Sequence, residues 1–296
     1  MLRLLTRELN LCYGFVRRDL GTGLLPVPLF TLASLVYRRT PRAEIAPAII
    51  PNSFPIREEA FLYGFLYLYT FVVSNQITGV REDRVNKPDR PIASGAESVS
   101  AAKTRYWVLT AMYLGLGHYL GVTIWAVLWI GTTIAHNPLG LSNFGPTKDL
   151  CMGLGCIAQL KAAWAIGGAP PAMGWYWIKV ITLYMMWPIP LQDLRDVPGD
   201  LAAGRRTTPI LLGDFAARVY IAVGIVVSQY LLIYHRILEY RYDTSTVATA
   251  VVLGLMTVGC IFRLFAFRSL TSDRFSHWLY TVIYVCQPLA ACVTLR

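Results

Sequence analysis

Long apolar runs alternate with short polar segments along most of the chain. A membrane-crossing helix needs about 20 mostly apolar residues to span the hydrocarbon core. Such a segment must be helical, because lipid offers no partner to open backbone groups. The pattern therefore predicts an all-α membrane protein with nine transmembrane helices, at residues 19–37, 60–79, 103–119, 120–137, 149–168, 174–192, 215–235, 246–266 and 276–295.

Two parts of this pattern need a separate interpretation. The run from Lys103 to Asn137 is too long for one crossing, and we divide it near His118–Gly121, where two glycines and a histidine interrupt it. Residues 1–18 lack an uninterrupted apolar core and a small-residue cleavage site, which indicates a short amphipathic helix on the membrane surface rather than a cleaved signal peptide. We treat residues 1–296 as one domain, since no fixed repeat period is visible.

The composition supports a membrane protein. Hydrophobic residues make up 55% of the chain, charged residues only 15%, and the mean hydropathy is +0.47, whereas charged residues form about 25% of an ordinary soluble domain. The net charge of +10 is typical of basic cytosolic loops beside anionic lipid headgroups. We therefore predict the lipid bilayer, and no nucleic acid, as a partner. The six cysteines form no C-x-x-C pair and are interpreted as packed thiols.

Two polar stretches interrupt the apolar pattern, each directly after a predicted span. Residues 75–91 read N-Q-I-T-G-V-R-E-D-R-V-N-K-P-D-R-P, and residues 193–209 read D-L-R-D-V-P-G-D-L-A-A-G-R-R-T-T-P. With the N-terminus in the cytosol, Lys and Arg are more numerous on the inside, and both stretches then lie on the cytosolic side. One such stretch alone is typical of a solvated loop with surface ion pairs. Two on the same side favour a shared site.

Within each stretch, carboxylates at helical spacing precede a cluster of Arg and Lys. Residues three or four apart share a helix face, so Asp193, Asp196 and Asp200 are predicted to line one face. Carboxylates grouped in this way repel one another unless a cation lies among them, and Mg²⁺ prefers oxygen ligands together with phosphate oxygens. The predicted Mg²⁺ ligands, which are also the predicted catalytic residues, are Asn75, Glu82, Asp83, Asp193, Asp196 and Asp200.

Basic side chains in and near the two stretches suit a polyanion, since Arg binds phosphate through a bidentate fork. Lys161 lies within a predicted span, where a charge is costly and indicates a function. The alternative for Lys161 is pairing inside the bundle or reaching the membrane interface. The residues predicted to bind a diphosphate are Lys87, Arg90, Lys148, Lys161, Arg205 and Arg206.

The predicted chemistry is ionisation of an allylic prenyl diphosphate. Metal ions and cationic side chains stabilise the charge on the leaving group, and a dry apolar cavity protects the carbocation that remains. Aromatic faces stabilise a cation, although the same positions are also typical of packing. The candidate aromatic residues are Tyr63, Tyr67, Tyr69, Phe71, Tyr184 and Trp187. His118 and His136 lie near helix ends, and we predict packing or interface roles for them.

The two stretches resemble the motifs of the UbiA superfamily of intramembrane prenyltransferases. In the first stretch, Asn75, Asp83 and Arg90–Pro91 match the family pattern. In the second, Q-D-L-R-D-V-P-G-D keeps all three aspartates. The resemblance covers most of the chain. It implies a ring of nine helices around a central cavity, capped by cytosolic motif loops, and a Mg²⁺-dependent reaction of a prenyl diphosphate.

The first stretch departs from the family pattern at two positions. Gln76 and Gly79 stand where the pattern has aspartates, and Glu82 beside Asp83 is the predicted compensation. With these changes, the stretch is similar to a fungal branch that includes terpene cyclases of the bergamotene-synthase type. This similarity implies a cyclase acting on farnesyl diphosphate or a similar prenyl diphosphate.

Two other functions remain open from the sequence. One is an aromatic prenyltransferase, which would join the same cation to an aromatic acceptor. The other is a non-catalytic transporter or receptor, against which the paired acidic motifs argue. In a eukaryote, a protein of this type would suit the endoplasmic reticulum membrane. The sequence leaves the oligomeric state open.

Overall fold

The computed structural model describes residues 2–40 and 58–296, and this part of the chain folds into helices. In the described residues the only extended pairing is an isolated bridge between Phe144 and Arg206. The α-helices are α1 (Leu2–Val16), α2 (Leu20–Gly23), α3 (Pro26–Arg39), α4 (Glu58–Thr78), α5 (Val80–Asn86), α6 (Val99–Tyr119), α7 (Thr123–His136), α8 (Gly145–Gly167), α9 (Pro171–Met186), α10 (Leu191–Leu194), α11 (Val197–Ala202), α12 (Thr208–Leu212), α13 (Asp214–Tyr230), α14 (Thr244–Ala266) and α15 (Leu270–Thr294). A 3₁₀ turn at Leu141–Asn143 precedes α8, and a π-helical segment at Leu231–Leu238 extends α13.

The all-α prediction is confirmed, and a helix or a pair of helices lies at each of the nine predicted spans. Among the described residues, five helical segments are long and apolar enough to cross a membrane. They are Leu20–Arg39, Glu58–Thr78, Gly145–Gly167, Asp214–Leu238 and Thr244–Ala266. The orientation prediction also counted Arg42 and Arg57, which lie outside the described residues.

Two predicted spans are interrupted by proline. The first predicted span is divided into α2 and α3 just before Pro26. At the sixth predicted span, α9 ends at Met186, short of the predicted end at residue 192. Pro188 and Pro190 follow that end directly. Proline has no backbone N–H to donate and its ring clashes with the preceding turn, so a helix seldom continues through it. The break after Met186 separates Asp193 from α9 and places it in the short helix α10.

Helix α8 packs against α3, α7 and α9. Glycines on α8 permit close approach of these neighbours: a Cβ built on Gly167 would lie 2.4 Å from the Cβ of Ser34 in α3, and one on Gly155 would lie 2.2 Å from the indole of Trp129 in α7. Small residues at helix contacts are the usual means of tight packing in membrane bundles. The residues of helix α8 are accordingly mostly buried.

Helix α14 has the opposite character. Its apolar side chains Leu255, Val258 and Phe262 are each more than 60% exposed. An exposed apolar stripe of this kind is unfavourable in water and suits lipid contact. Helix α1 is also exposed in part, through Leu5, Leu9 and Tyr13. Its place on the membrane surface stays a prediction.

Candidate active site

The first polar stretch begins at the end of α4 and continues into α5. The helices are separated at Gly79, but backbone hydrogen bonds from Gly79 N to Asn75 O and from Asp83 N to Gly79 O, both 2.8 Å, keep the turn close to helical. Glu82 and Asp83 are buried in the first turn of α5. Gln76 turns away from them and donates to the carbonyl of Phe15 in α1, at 3.4 Å. The amide that replaces a carboxylate here therefore connects two helices.

The second polar stretch is less regular than predicted. Asp193 lies in α10, Asp196 precedes α11, and Asp200 lies within α11. The backbone bond from Asp196 N to Asp193 O, 3.0 Å, spans three residues, and the bond from Asp200 N to Asp196 O, 3.0 Å, spans four. The stretch therefore forms two short helical segments, α10 and α11, because Pro190 and Pro198 interrupt a continuous helix. The common face of the three aspartates stays a prediction.

The two stretches hold each other in place. Asn86, at the end of α5, donates from Nδ2 to the carbonyl of Asp196 at 2.8 Å and accepts at Oδ1 from the backbone N–H of Gly199 at 3.1 Å. A Cβ on Gly199 would lie 2.2 Å from Asn86 Nδ2, so only glycine permits this approach. Segments that are more than a hundred residues apart in the chain therefore form one structure.

Each acidic side chain of the two stretches is paired with a cation. Arg90 Nη1 lies 2.8 Å from Asp83 Oδ1, and Lys87 Nζ lies 2.8 Å from Asp196 Oδ2. Other pairs join Lys148 to Asp193, Arg205 to both Glu82 and Asp200, Lys87 also to Glu82, and Arg17 and Arg18 to Asp89.

Most of these residues line a polar cavity, whose volume is about 600 Å³ when the adjoining open solvent is included. Carboxylates and cations from both stretches share its wall, which also includes Lys148 from α8. The predicted site residues in the wall are Asn75, Glu82, Lys87, Arg90, Lys148, Asp196, Asp200 and Arg205. Asp83 and Asp193 lie behind this wall and are paired with Arg90 and Lys148.

The pairing sets the acidity of the carboxyl groups. Burial would raise the pKa of Asp196, but the ammonium of Lys87 and the guanidinium of Arg195 outweigh it and lower the pKa to about 2. Burial raises the pKa of Asp200 to about 6, although Lys148 and Arg205 oppose the shift. Both carboxyl groups are therefore mainly ionised at neutral pH and can bind a cation.

The donor set fits Mg²⁺ in its chemistry, since carboxylate and amide oxygens from both stretches are directed at one cavity. Behind the wall, buried Asp193 Oδ2 has no hydrogen-bond partner within the described residues, so this oxygen could accept a further ligand. The geometry is not that of a preformed metal centre: among residues 2–40 and 58–296, no three acidic, His or Cys side chains are grouped closely enough to hold an ion. Basic side chains occupy the positions between the carboxylates instead.

An apolar chamber continues from the polar cavity. Its volume is about 670 Å³ when the open solvent that adjoins it is included, and Asp19, Phe71, Met152 and Gln192 line both spaces. Tyr67 and Trp129 stack in its wall with ring centroids 4.1 Å apart, and Phe71 also stacks with this indole at 5.1 Å. The charged polar cavity therefore lies directly beside an aromatic chamber.

The structure separates the predicted site residues into two groups. Lys161 lies about 20 Å along α8 from Lys148, at 1.5 Å per residue, and its ammonium lies 4.4 Å from the ring centroid of Trp175. This is the alternative of pairing within the bundle, so the structure does not bring Lys161 to the diphosphate side. Arg206 is exposed and lines neither cavity. Its backbone pairs with Asn143 and Gly145.

Of the aromatic candidates, only Tyr67 and Phe71 line the chamber. The others are placed elsewhere: the hydroxyl of Tyr63, for example, makes a buried hydrogen bond with that of Tyr113. Trp129 and Tyr284 carry no recognisable sequence signal, because each is one aromatic residue among many in apolar spans. The residues that sequence reasoning missed as parts of the site are Asp19, Trp129, His136, Gln192, His277 and Tyr284.

Residues 56–283 match the model of the UbiA prenyltransferase family. The chain belongs to this family. The motif resemblance is therefore confirmed, and the chain is an enzyme of the UbiA type. A somaliensene A/B synthase of Streptomyces somaliensis is 33% identical over 294 residues, which cover 99% of this chain and 96% of that protein.

Two further comparisons bear on chemistry and fold. A diterpene cyclase of Hericium erinaceus, eriG, is 29% identical, and the match covers 97% of this chain and 89% of that protein. The structure of a UbiA homolog from Archaeoglobus fulgidus bound to GPP and Mg²⁺ superimposes with a TM-score of 0.63 at 15% identity, covering 95% of this UbiA-family chain and 99% of the homolog. The relatives support terpene cyclisation, and the structural likeness confirms the UbiA fold.

We expect Gly155→Ala to change the product of this UbiA-family enzyme more than its rate of diphosphate release. The added Cβ would lie 2.2 Å from the Trp129 indole, so the ring must leave its stack with Tyr67 and change the chamber wall, at an overpacking cost of about 1–3 kcal/mol. Gas chromatography of the products and a pyrophosphate assay measure the two effects separately. Gly131→Ala, where a Cβ meets no atom within 4 Å, is the control and should leave both unchanged.

Proposed function

We propose that this protein is a membrane terpene cyclase that ionises farnesyl diphosphate, or a longer prenyl diphosphate, with Mg²⁺ and cyclises the resulting carbocation. The observation that carries the proposal is the direct connection of a charged cavity to an aromatic chamber. The first offers a place for the diphosphate and the second a place for the prenyl chain.

The charged cavity supports the ionisation step. Lys87, Lys148 and Arg205 are paired with carboxylates. A diphosphate arriving with Mg²⁺ brings both a cation for the carboxylates and an anion for these basic side chains. The predicted ligands, Asn75, Glu82, Asp83, Asp193, Asp196 and Asp200, would hold the metal, whose charge stabilises the leaving group. The basic groups then bind the phosphate oxygens as the C–O bond breaks.

The aromatic chamber supports the cyclisation step. Tyr67, Phe71 and Trp129 line this chamber, and an aromatic face beside a cation contributes about 0.5–2 kcal/mol to its stabilisation. The chamber surface is mainly apolar, so it limits the water that would capture the carbocation. The similarity to a somaliensene synthase and a diterpene cyclase favours cyclisation over transfer to an aromatic acceptor.

The proposal includes the membrane arrangement. We place the nine predicted spans in a ring around the chamber and both motif stretches on the cytosolic face. The contacts that support a ring are those between consecutive long helices, together with the packing of α15 against α3. In a eukaryotic cell the proposed location is the endoplasmic reticulum membrane.

The decisive test is incubation of membranes from an expressing host with farnesyl diphosphate and Mg²⁺, with no acceptor present. We expect cyclised hydrocarbons in the volatile fraction. Membranes carrying Asp83→Ala are the control, because this change removes a proposed metal ligand and one of the two carboxylates that pair with buried Arg90. Geranylgeranyl diphosphate tests a longer chain in parallel. Linear alcohols and unreacted substrate alone, with prenylated product only when a phenolic acceptor is added, would instead establish an aromatic prenyltransferase.

A further inference from the structure

His136 ends α7 at the boundary between the charged cavity and the aromatic chamber. Its side chain is buried, with only 2% of the residue exposed, and it lines the charged cavity. The imidazole centroid lies 5.3 Å from that of Phe71, a residue that lines both spaces. His136 is therefore placed where a prenyl carbocation would meet the polar region.

A chain of hydrogen bonds determines which imidazole nitrogen of His136 carries the proton. The guanidinium of Arg90 can only donate, so the Asn75 atom 3.3 Å from Arg90 Nη1 is the amide oxygen. The Nδ2 group of Asn75 then faces Asn137 and donates to Asn137 Oδ1 at 3.3 Å. This oxygen also lies 2.8 Å from His136 Nδ1. A carbonyl oxygen only accepts, so Nδ1 must carry the hydrogen.

The opposite nitrogen, His136 Nε2, is therefore a lone-pair acceptor. It is buried and has no hydrogen-bond partner within the described residues. Buried polar atoms are nearly always paired, so an unpaired acceptor in a cavity wall points to a donor that arrives with the ligand.

We propose that His136 Nε2 is the base that ends cyclisation, an inference that rests on the proposed terpene cyclase function. A C–H bond next to the cationic carbon breaks, and its electron pair forms the new C=C bond that neutralises the carbocation. The proton forms the Nε2–H bond of an imidazolium, which the adjacent diphosphate can then discharge. The overall products are a neutral alkene and hydrogen diphosphate, so charge and atoms balance without a further reactant.

Three polar groups that line the chamber, His277, Tyr284 and Gln159, are less suited to this role. His277 Nδ1 lies 2.9 Å from Arg195 Nη1, a donor, so the neutral imidazole of His277 has its hydrogen on Nε2 and its lone pair is occupied. Tyr284 donates to Gln159 Oε1 at 3.0 Å, and Gln159 Nε2 is bonded to backbone carbonyls. The two histidines therefore have opposite tautomers, and of these groups only His136 offers a free lone pair.

The first test compares His136→Gln with His118→Gln, the same substitution at an exposed histidine outside both cavities. Pyrophosphate release and volatile products are measured with farnesyl and geranylgeranyl diphosphates. We expect His136→Gln to keep pyrophosphate release within about threefold, while the share of the wild-type alkene falls at least about tenfold in favour of alcohols and isomeric alkenes. His118→Gln should match the wild type.

The second test keeps His136 and changes Asn137, which acts as a positioning residue. Asn137→Asp retains an acceptor oxygen for His136 Nδ1–H and should retain the wild-type product ratio. Asn137→Leu removes the acceptor that keeps the hydrogen of His136 on Nδ1, and it should shift the product ratio towards that of His136→Gln. An unchanged ratio in both His136→Gln and Asn137→Leu would overturn the inference. If His136→Gln does not fold, the comparison of Asn137→Asp with Asn137→Leu tests the inference without it. Absence of pyrophosphate release by the wild type would instead refute the proposed function.

Discussion

Asp193→Asn should reduce prenyl diphosphate turnover by about a thousandfold, the scale expected when a group that stabilises transition-state charge is lost. Asp193 is fully buried and is paired with Lys148, which is only 6% exposed. The substitution removes a proposed metal ligand and also leaves the Lys148 ammonium buried without its counter-ion. Breaking one side of a buried ion pair costs about 3–5 kcal/mol of stability. Pyrophosphate release by the variant in detergent or nanodiscs, at saturating Mg²⁺, measures the loss.

A double variant separates the catalytic loss from the loss of stability. In Asp193→Asn combined with Lys148→Met no unpaired charge remains, so thermal stability should recover towards that of the wild type. Activity should stay low, because neither the carboxylate nor the ammonium is restored. Asp89→Asn is the surface control, since Asp89 pairs with exposed Arg17 and Arg18. Recovery of turnover in the double variant would contradict the role of Asp193 as a ligand.

Arg205→Met should reduce turnover by at least about a hundredfold, the effect typical of removing a group that stabilises transition-state charge. Arg205 Nη1 contacts Glu82 and lies 3.0 Å from Asp200 Oδ1, and its Nη2 donates to the carbonyl of Ser142 at 2.8 Å. One guanidinium thus joins the two polar stretches. Without it, two buried carboxylates face each other and the leaving group loses a cation. Turnover at varied substrate concentration measures kcat and KM.

The neighbouring arginine provides a matched control for Arg205. Arg206→Met should keep turnover within about twofold, because the side chain is exposed and the structural contacts of Arg206 are made by its backbone. Arg205→Lys tests geometry, since an ammonium supplies charge without the planar fork, and it should be intermediate. Equal losses at positions 205 and 206 would show that net positive charge, and not the placement of Arg205, is what matters.

The all-α architecture and the charged part of the site could be predicted from the sequence. Apolar length alone located the helices, because an apolar run of about 20 residues crosses lipid as a helix, which pairs its backbone groups within the segment. Asn75, Lys87, Arg90 and Arg205 stand out because polar clusters are rare in this chain, and the structure brings them into one cavity. The prediction was poorest where charge was the sole signal: Lys161 and Arg206 have the right chemistry but lie elsewhere.

The chamber could not be read from the sequence in the same way. Trp129 and Tyr284 are two aromatic residues among many in apolar spans, and only the packing of α7 and α15 decides that they line the chamber. The tautomer of His136 likewise depends on Asn75 and Asn137, which come from different parts of the chain. Such features arise from the relative rotation of helices, and hydropathy does not specify that rotation.

The charged cavity and the aromatic chamber are lined by different residues, except for Asp19, Phe71, Met152 and Gln192, which line both. Substitutions among the remaining chamber residues can therefore reshape the space around the hydrocarbon without disturbing the ion pairs that receive the leaving group. An enzyme with these two separate linings can evolve to form new carbon skeletons through a few substitutions in the chamber, while the release of diphosphate is preserved. New products can then evolve through few mutations. At the four shared positions, by contrast, a substitution would change both the hydrocarbon space and the diphosphate site.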